Sequence, residues 1–314
     1  MSCAIPFICA PDYAFAELWR AALQAAMPQE RIVALDTLDA AQRANCEVAI
    51  VANPDPRELA TLPRLKWVHS LWAGVERLVE DLQHSPVEIV RLVDPQLAET
   101  MAEAVLAWTL YLHRDMPRYA RQQAAGQWLE HDYVRPQDKT VALLGLGELG
   151  LASAARLLAA GFQVAGWSRS RKAVPGVQCF AGDEELPALL AAADILVCLL
   201  PLTPETRDML DARALAHLKP GAALINFARG AIVDDDALRA ALDSGKLAHA
   251  VLDVFRTEPL PAAQWQWQHP QVTVLPHISA PTHRHTAAAI VAANVRHYRE
   301  TGVLPARVDK QRRY

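Results

Sequence analysis

Short apolar runs alternate with amphipathic stretches along almost the whole chain. Between residues 140 and 275, six runs are nearly continuous in Val, Leu, Ile and Ala, as is typical of parallel strands that are covered on both faces. These runs are 140–146, 163–168, 195–200, 222–228, 250–255 and 272–275. Helical patterns lie between them, at 149–160, 184–192, 211–217 and 235–243. The pattern therefore predicts a doubly wound parallel sheet of six strands.

The first third of the chain predicts a smaller α/β domain of its own. A helical pattern covers 14–27, and strand patterns occupy 4–10, 31–35, 48–52, 66–71 and 88–93. A long helix with few breaks is expected from 96 to about 125. A final helix, 283–301, is expected to return to the first domain, which would make that domain discontinuous in sequence.

A glycine motif joins the first strand of the six-stranded sheet to the following helix. Gly145 permits a tight turn, Gly147 lets a pyrophosphate approach the backbone, and Gly150 lets the helix pack close to the sheet. The free N–H groups of the helix N-terminus suit phosphates. Between two strands, the motif predicts dinucleotide contacts from Gly145, Leu146, Gly147, Glu148, Leu149 and Gly150. The alternative is a βαβ unit whose turn glycines bind nothing.

The end of the second strand indicates which dinucleotide would bind. An NAD site usually has Asp or Glu there, but the next acid after Glu148 is Asp183. Instead the chain has Ser168, Arg169, Ser170, Arg171 and Lys172, which would suit a 2′-phosphate. We therefore expect NADP(H) in preference to NAD(H), with NAD(H) still possible. The alternative is a solvated basic loop.

Composition narrows the class of protein. The chain has 314 residues, enough for two domains with proper cores. Its net charge of -4 does not indicate a surface that binds nucleic acid, and no apolar run approaches membrane-spanning length. The five cysteines (Cys3, Cys9, Cys46, Cys179 and Cys198) show no metal spacing, so no metal site is expected. With no signal-peptide pattern either, we expect free thiols and a cytoplasmic protein.

Three side chains that could take part in catalysis follow consecutive strands of the predicted sheet. Arg229, Glu258 and His277 come after the last three strands, and Asp253 lies near the end of the second of these. Ligands of such sheets bind at the carboxyl ends of the strands. Arg229 could hold a carboxylate and polarise a ketone, His277 could protonate the oxygen, and Glu258 could orient the imidazole. Each residue also has an interpretation without function. Arg229 could be a surface arginine in a turn, Glu258 could belong to a loop break, and His277 is only one of 11 histidines in the chain.

A second candidate site ends a strand of the first domain. Backbone N–H groups of Ala73 and Gly74 could bind a substrate carboxylate, since these small residues permit close approach. Trp72 could line the pocket. The alternatives are an ordinary turn and a tryptophan that packs between domains.

The chain resembles the D-isomer-specific 2-hydroxyacid dehydrogenase family, and within it the bacterial glyoxylate/hydroxypyruvate reductases of the A type. The similarity covers essentially the whole chain and is firmest from residue 140. It rests on the stretches 72–76, 144–150, 167–172, 200–206, 226–230, 252–260, 276–277 and 308–314. Two departures concern the pocket: Ala52-Asn53-Pro54 replaces a usual tryptophan, and Trp72 stands where a small residue is usual.

The resemblance implies roles for individual residues. Arg229 would bind and polarise the substrate, His277 would be the acid/base, and Glu258 would be its partner. Further cofactor contacts would come from Leu200, Pro201, Thr206, Ala228, Arg229, Asp253 and His277.

The resemblance also implies the domain plan and the reaction. A Rossmann domain at 99–282 would be inserted in a smaller flavodoxin-like α/β substrate domain, 1–98 plus 283–314, within a homodimer. The expected reaction is NADPH-dependent reduction of short 2-keto acids, glyoxylate to glycolate or hydroxypyruvate to D-glycerate. The alternatives are a family member that acts on a larger acid or with NAD, and a dinucleotide-sensing regulator similar to the C-terminal-binding corepressors.

Overall fold

The computed structural model of the protein describes residues 4–311. Cys3 and the last three residues of the basic tail, 312–314, lie outside the described residues. The chain divides into two compact units. The smaller unit is Met1–Gln96 with Thr282–Tyr314, and the larger unit is Leu97–Pro281. Within the described part of the chain, no helix has the length and apolar content needed to cross a bilayer.

The two units contain the following elements in chain order. Residues up to 124 form β1 Ala4–Cys9, α1 Ala16–Ala26, β2 Arg31–Ala34, α2 Ala40–Arg43, β3 Val48–Ala52, α3 Pro56–Leu59, β4 Trp67–Ser70, α4 Glu76–Asp81, β5 Glu88–Val90, α5 Pro95–His113 and α6 Met116–Ala124. The rest form β6 Thr140–Leu144, α7 Glu148–Ala159, β7 Gln163–Ser168, β8 Val177–Ala181, α8 Gly182–Ala192, β9 Ile195–Cys198, α9 Ala212–His217, β10 Ala222–Asn226, α10 Asp235–Asp243, β11 Leu247–Leu252, β12 Val272–Val274 and α11 Arg284–Thr301.

The smaller unit is a five-stranded parallel sheet with the order β2-β1-β3-β4-β5. This is the flavodoxin order, so the predicted flavodoxin-like α/β fold is confirmed. Trp19 and Leu23 of α1 and Val291 and Val295 of α11 pack in the core on one face of the sheet. Leu59, Leu78 and Val79, from α3 and α4, belong to the core on the other face. Two covered faces explain why the strand sequences are apolar runs rather than alternating patterns.

The larger unit is a parallel sheet with the order β12-β11-β10-β9-β6-β7-β8. The predicted doubly wound Rossmann sheet is therefore confirmed, but it has seven strands rather than six. The missed strand, β8, reads Val-Gln-Cys-Phe-Ala and lies at the edge of the sheet, where all five residues keep some exposure. An edge strand needs no continuous apolar run, so its sequence gave no strand signal.

The single long helix that the sequence predicted from 96 to about 125 is wrong. The structure has two helices, α5 and α6, with a break at Arg114 and Asp115. Asp115 adopts a left-handed conformation with φ of 54°, and Pro117 lies in the first turn of α6. A proline has no N–H for the bond to the carbonyl four residues earlier, so it is tolerated at a helix start but not in a helix interior.

Gly150 sets how closely α7 approaches the strand before it. A Cβ atom added at Gly150 would lie 1.9 Å from the carbonyl oxygen of Gly145, whereas one added at Gly147 would meet no atom within 4 Å. The backbone of the turn therefore occupies the space that a side chain at residue 150 would need.

We expect Gly150→Ala to destabilise the protein, although alanine is ordinarily the better helix former by about 1 kcal/mol. The clash is with main chain, so the free energy of unfolding should fall by about 3 kcal/mol or more. Denaturant unfolding of the full chain measures this. Gly147→Ala is the matched control and should unfold close to wild type; equal stability of the two variants would contradict the packing argument.

Candidate active site

Three neighbouring strands of the larger unit deliver the predicted catalytic residues. Arg229 follows β10 by three residues, Asp253 follows β11 directly, and His277 follows β12 by three residues. β11 pairs with both β10 and β12, and all three strands are parallel. Their carboxyl ends therefore share one edge of the sheet, and the side chains that follow them can meet there.

Two residues shape the turn that carries Arg229. The buried side chain of Asn226 accepts from the Ala228 N–H at 3.2 Å and donates to the Arg229 carbonyl at 3.1 Å. A Cβ atom at Gly230 would lie 2.0 Å from the carbonyl carbon of Phe255. The turn after β10 thus lies directly on the loop after β11. Arg229 is half-buried, and its Nη1 donates to the Ala228 carbonyl at 2.6 Å.

Glu258 and His277 form a hydrogen-bonded pair. His277 Nδ1 lies 2.8 Å from Glu258 Oε2, and Glu258 Oε1 accepts from the Phe255 N–H at 2.9 Å. Both carboxylate oxygens are therefore engaged, and the imidazole is fixed through Nδ1. Its Nε2 is left as the nitrogen that can exchange a proton with a bound substrate.

The pair also changes the proton affinity of both residues. The hydrogen bond that His277 donates to the Glu258 carboxylate raises the pKa of His277, against the opposing effects of burial and of the Arg229 charge. Burial by itself would raise the pKa of Glu258, but the bonds from His277 and the Phe255 N–H, with the nearby positive charges, lower it overall. The arrangement thus favours a carboxylate facing an imidazolium.

Asp253 holds the backbone that follows His277. Its carboxylate is 2% exposed and accepts from the N–H groups of Ile278 at 2.7 Å and Ser279 at 2.9 Å. His277 has a φ of 54°, a left-handed conformation that costs free energy for a residue with a side chain. The bonds to the next two residues hold the backbone in this conformation. In the structure Asp253 therefore bonds to backbone, and its predicted cofactor contact stays a prediction.

The glycine turn of the larger unit has the features of a phosphate site. Gly145 has a φ of 108°, and its Cβ position lies only 3.0 Å from the Leu199 carbonyl oxygen. Gly147, exposed, is the N-cap of the twelve-residue helix α7, which begins at Glu148, with Leu149 next and Gly150 buried. The open Cβ position at Gly147 leaves room for a pyrophosphate against the backbone. The residues present therefore fit a dinucleotide.

The basic residues of the loop after β7 have different partners. Arg171 pairs with Glu185 and donates to the Cys179 carbonyl at 3.1 Å, whereas Lys172 Nζ donates to the Leu146 carbonyl at 2.6 Å. Ser168 Oγ donates to the Ser170 carbonyl at 2.8 Å. Arg169 and Ser170 are exposed at the tip. Lys172 thus links this loop to the glycine turn.

The loop after β9 contains three more of the predicted cofactor residues. Thr206 is buried; its Oγ1 donates to the Pro201 carbonyl at 2.7 Å and accepts from the Thr203 N–H at 2.8 Å. Leu200 is buried and touches the Cβ position of Gly145 at 3.4 Å. The loop therefore has a fixed backbone next to the glycine turn.

In the smaller unit, the loop 72–74 follows β4. The Trp72 N–H donates to Ser70 Oγ at 3.0 Å, and the Leu92 N–H donates to the Trp72 carbonyl at 3.2 Å. Arg91 Nη1 lies 3.5 Å from the Ala73 carbonyl oxygen. The substrate contacts of Trp72, Ala73 and Gly74 stay predictions.

Comparison with known proteins identifies the family. Residues 106–279, more than half of the chain, match the family model described as D-isomer specific 2-hydroxyacid dehydrogenase, NAD binding domain. The chain is 41% identical over 299 residues to glyoxylate/hydroxypyruvate reductase A of Serratia proteamaculans, covering 93% of this chain and 94% of that protein. The chain belongs to the D-isomer-specific 2-hydroxyacid dehydrogenase family.

Solved structures of this dehydrogenase family have the same fold. A D-isomer-specific 2-hydroxyacid dehydrogenase from Xanthobacter autotrophicus, in complex with NADPH and MES, has a TM-score of 0.92 and 39% identity over 99% of this chain and all of that one. An NADPH-dependent glyoxylate/hydroxypyruvate reductase from Sinorhizobium meliloti, with NADP and sulfate, has a TM-score of 0.87 and 33% identity, with 99% and 100% of the chains covered. The predicted family, fold and oxidoreductase class are confirmed.

Sequence reasoning missed two residues of this dehydrogenase site. Asn226 and Gly230 flank the turn of Arg229, but the sequence pattern assigned a role to neither of them. A polar residue at the end of an apolar strand, followed by a glycine four residues later, is the signal that could have found them. Among the described residues, no three His, Cys, Asp or Glu side chains are grouped as metal ligands.

We expect Glu258→Gln to lower the pH at which His277 titrates, because the amide cannot supply the negative charge that raises the imidazole pKa. The wild type should therefore keep its imidazolium to higher pH than the variant. NMR titration of the His277 ring measures the two midpoints. Glu185→Gln, which removes a paired acid elsewhere in the same unit, is the control and should leave the midpoint unchanged. An unmoved midpoint in Glu258→Gln would refute the pairing.

Proposed function

We propose that this dehydrogenase reduces short 2-keto acids with NADPH, converting glyoxylate to glycolate and hydroxypyruvate to D-glycerate. The observation that carries the proposal is the 2.8 Å bond between His277 Nδ1 and Glu258 Oε2, at the sheet edge that also bears Arg229. The names of the Serratia and Sinorhizobium relatives support these two substrates. The D configuration of the product rests on the family alone.

Each member of the trio has a role in the proposed reaction. A dinucleotide held at the glycine turn 145–150 would supply the hydride that the carbonyl carbon receives. The Arg229 guanidinium binds the substrate carboxylate and draws charge from the ketone oxygen. His277 gives that oxygen a proton from Nε2, and Glu258 stabilises the imidazolium before the transfer. Substrate contacts are proposed also for Trp72, Ala73 and Gly74 of the smaller unit.

The preference for NADPH is proposed from the loop after β7. Residues 168–172 contain three basic side chains and no acid, so a ribose 2′-phosphate would find donors and no repulsion. Arg169 is the residue to which we assign the phosphate, because it is exposed at the tip of this loop. The NADPH and NADP complexes of the Xanthobacter and Sinorhizobium proteins are in agreement.

Domain roles and assembly complete the proposal. Leu97–Pro281 would bind the cofactor and the smaller unit would bind substrate.

A homodimer is proposed through the larger unit, where large apolar side chains are exposed on α5, α6 and the following loop; Trp128 is 93% exposed. The others are Leu110, Met116, Tyr119, Leu129, Tyr133 and Val134. Such exposed apolar groups are typical of an interface. The four described cysteines are free, which suits the cytoplasm.

We expect His277→Ala to lower kcat for glyoxylate by about 100-fold to 10 000-fold, the usual contribution of a positioned acid. NADPH should still bind, because the glycine turn is untouched; its fluorescence on binding measures this separately. His217→Ala, on an outer helix of the same unit, is the control for loss of an imidazole. Near-normal turnover in His277→Ala would exclude the acid/base role.

We expect Arg169→Ala to discriminate between the two nicotinamide cofactors. A hydrogen bond from a charged group contributes about 1.5–3 kcal/mol, so the KM for NADPH should rise about 10-fold to 100-fold while that for NADH changes little. Initial rates at saturating glyoxylate give both values. Arg213→Ala removes an exposed arginine of α9 and should change neither. Equal increases for both cofactors in Arg169→Ala would refute the 2′-phosphate assignment.

A further inference from the structure

The side chain of Arg256 bonds to two other loops at the carboxyl edge of the larger unit's sheet. Arg256 belongs to the loop after β11, two residues before Glu258. Its Nη2 donates to the Asp208 carboxylate, in the loop after β9, and to the Val233 carbonyl at 2.8 Å, in the loop after β10. Its Nε lies 3.6 Å from Asp235 Oδ2, at the start of α10. One side chain therefore connects the loops that follow the neighbouring strands β9, β10 and β11.

Backbone bonds fix the positions of the groups that Arg256 binds. Asp208 has a left-handed backbone, with a φ of 53°, and its N–H donates to the Ala231 carbonyl at 2.9 Å. Two residues further on, Leu210 forms a parallel bridge with Val233. The loops after β9 and β10 are thus paired with each other through their main chains. Arg256 binds across this pair, so its side chain ties the loop after β11 to a support that is already held in place.

The main chain of Arg256 lies against the turn that carries Arg229. A Cβ atom at Gly230 would lie 2.4 Å from the Arg256 nitrogen. This contact stops the loop after β11 from moving closer to the turn, but a contact of this kind does not stop the loop from moving away. The side-chain bonds of Arg256 act in that second direction, because they must break if the loop moves outward. The same loop leads to Glu258, whose Oε1 accepts from the Phe255 N–H at 2.9 Å.

The charge of Arg256 offsets repulsion among the acids around it. Residues 234–236 are three consecutive aspartates at the start of α10, and Asp208 is close enough to act on Asp235. Burial raises the pKa of Asp235, the Arg256 charge opposes this effect, and the charges of the other three aspartates add to it. The Arg256 side chain is 35% exposed and has two acids and a carbonyl as partners, so it is part of a network rather than of a single surface ion pair. Loss of Arg256 would therefore remove its bonds and also leave these carboxylates to repel one another.

We propose that Arg256 is a positioning residue for the reaction: by holding the loop after β11 against the loops after β9 and β10, it keeps Glu258 within bonding distance of His277. The inference rests on the proposed function and adds to it a residue that acts through Glu258 rather than on the substrate. Glu258 Oε2 lies 2.8 Å from His277 Nδ1, and an outward movement of the loop by about 1 Å would break that hydrogen bond. Catalytic groups tolerate misplacement of this size poorly.

The first test is NMR titration of the His277 ring in Arg256→Gln, with the full chain and no substrate. Glutamine lacks both the charge and the five-donor fork of the guanidinium. If Glu258 is displaced, the imidazole loses the partner that raises its pKa, so the midpoint should fall by about 0.5 pH unit or more. Loss of a nearby positive charge by itself would act in the opposite direction and raise the midpoint. A fall therefore identifies positioning, and an unchanged or raised midpoint would overturn the inference.

Two further variants assign the effect to this contact. Arg239→Gln is the matched control, because Arg239 also pairs with an aspartate, Asp243, in the same unit, and it should keep the wild-type midpoint. Asp208→Asn weakens the contact from its other end and should lower the midpoint. The double variant of Arg256→Gln and Asp208→Asn should shift the midpoint no further than Arg256→Gln does, because both changes break one contact. Additive falls would contradict the proposed connection between the loops.

Kinetics then separate positioning from a general effect on stability. With glyoxylate and NADPH, Arg256→Gln should lower kcat about 10-fold to 100-fold, while the KM for NADPH stays near that of the wild type because the glycine turn is untouched. Denaturant unfolding of the same variant measures its stability. A variant that is less stable but keeps kcat within about threefold of the wild type would show a structural role only and would overturn the inference.

The titration also separates this inference from the proposed function. Wild-type protein that reduces neither glyoxylate nor hydroxypyruvate contradicts the proposed function. The His277 midpoint in Arg256→Gln is measured without turnover, so it still decides whether Arg256 holds Glu258 in place.

Discussion

The sheet edge that carries Arg229, Glu258 and His277 depends on a backbone contact at Gly230 that leaves no room for a side chain. The turn after β10 lies so close to the loop after β11 that a Cβ atom at Gly230 would fall 2.0 Å from the backbone of Phe255. Phe255 in turn donates its N–H to Glu258, which binds His277. One close backbone contact thus sets the separation of the arginine from the acid–imidazole pair. A larger residue at position 230 would push the two loops apart.

Apolar runs were sufficient to predict both sheets, because strands covered on two faces must be apolar throughout. They could not reveal β8, an edge strand with partly exposed side chains, nor the break before Pro117 in what looked like one helix. The convergence of Arg229, Glu258 and His277 was predictable, since each follows a parallel strand. The bonds of Asp253 were not, because they join residues 25 and 26 positions apart through backbone N–H groups that have no sequence signature.

Buried polar groups are used in opposite ways in the two units. In the larger unit, the Asp253 carboxylate has two N–H donors and keeps a strained backbone in place. In the smaller unit, donors of Trp72 and Arg284 are shielded from solvent and have no acceptor. A satisfied group rigidifies its surroundings, whereas a shielded donor without an acceptor costs free energy.

The bond from Lys172 to the Leu146 carbonyl limits how easily the cofactor preference could change in evolution or by engineering. The loop that would distinguish NADP from NAD is fastened to the turn that would hold the pyrophosphate common to both. Replacing the loop to change the preferred cofactor would also release the turn. A lineage or an engineer exchanging these residues would therefore alter the affinity for every dinucleotide, and would need a new anchor for residue 146 before the exchange became selective.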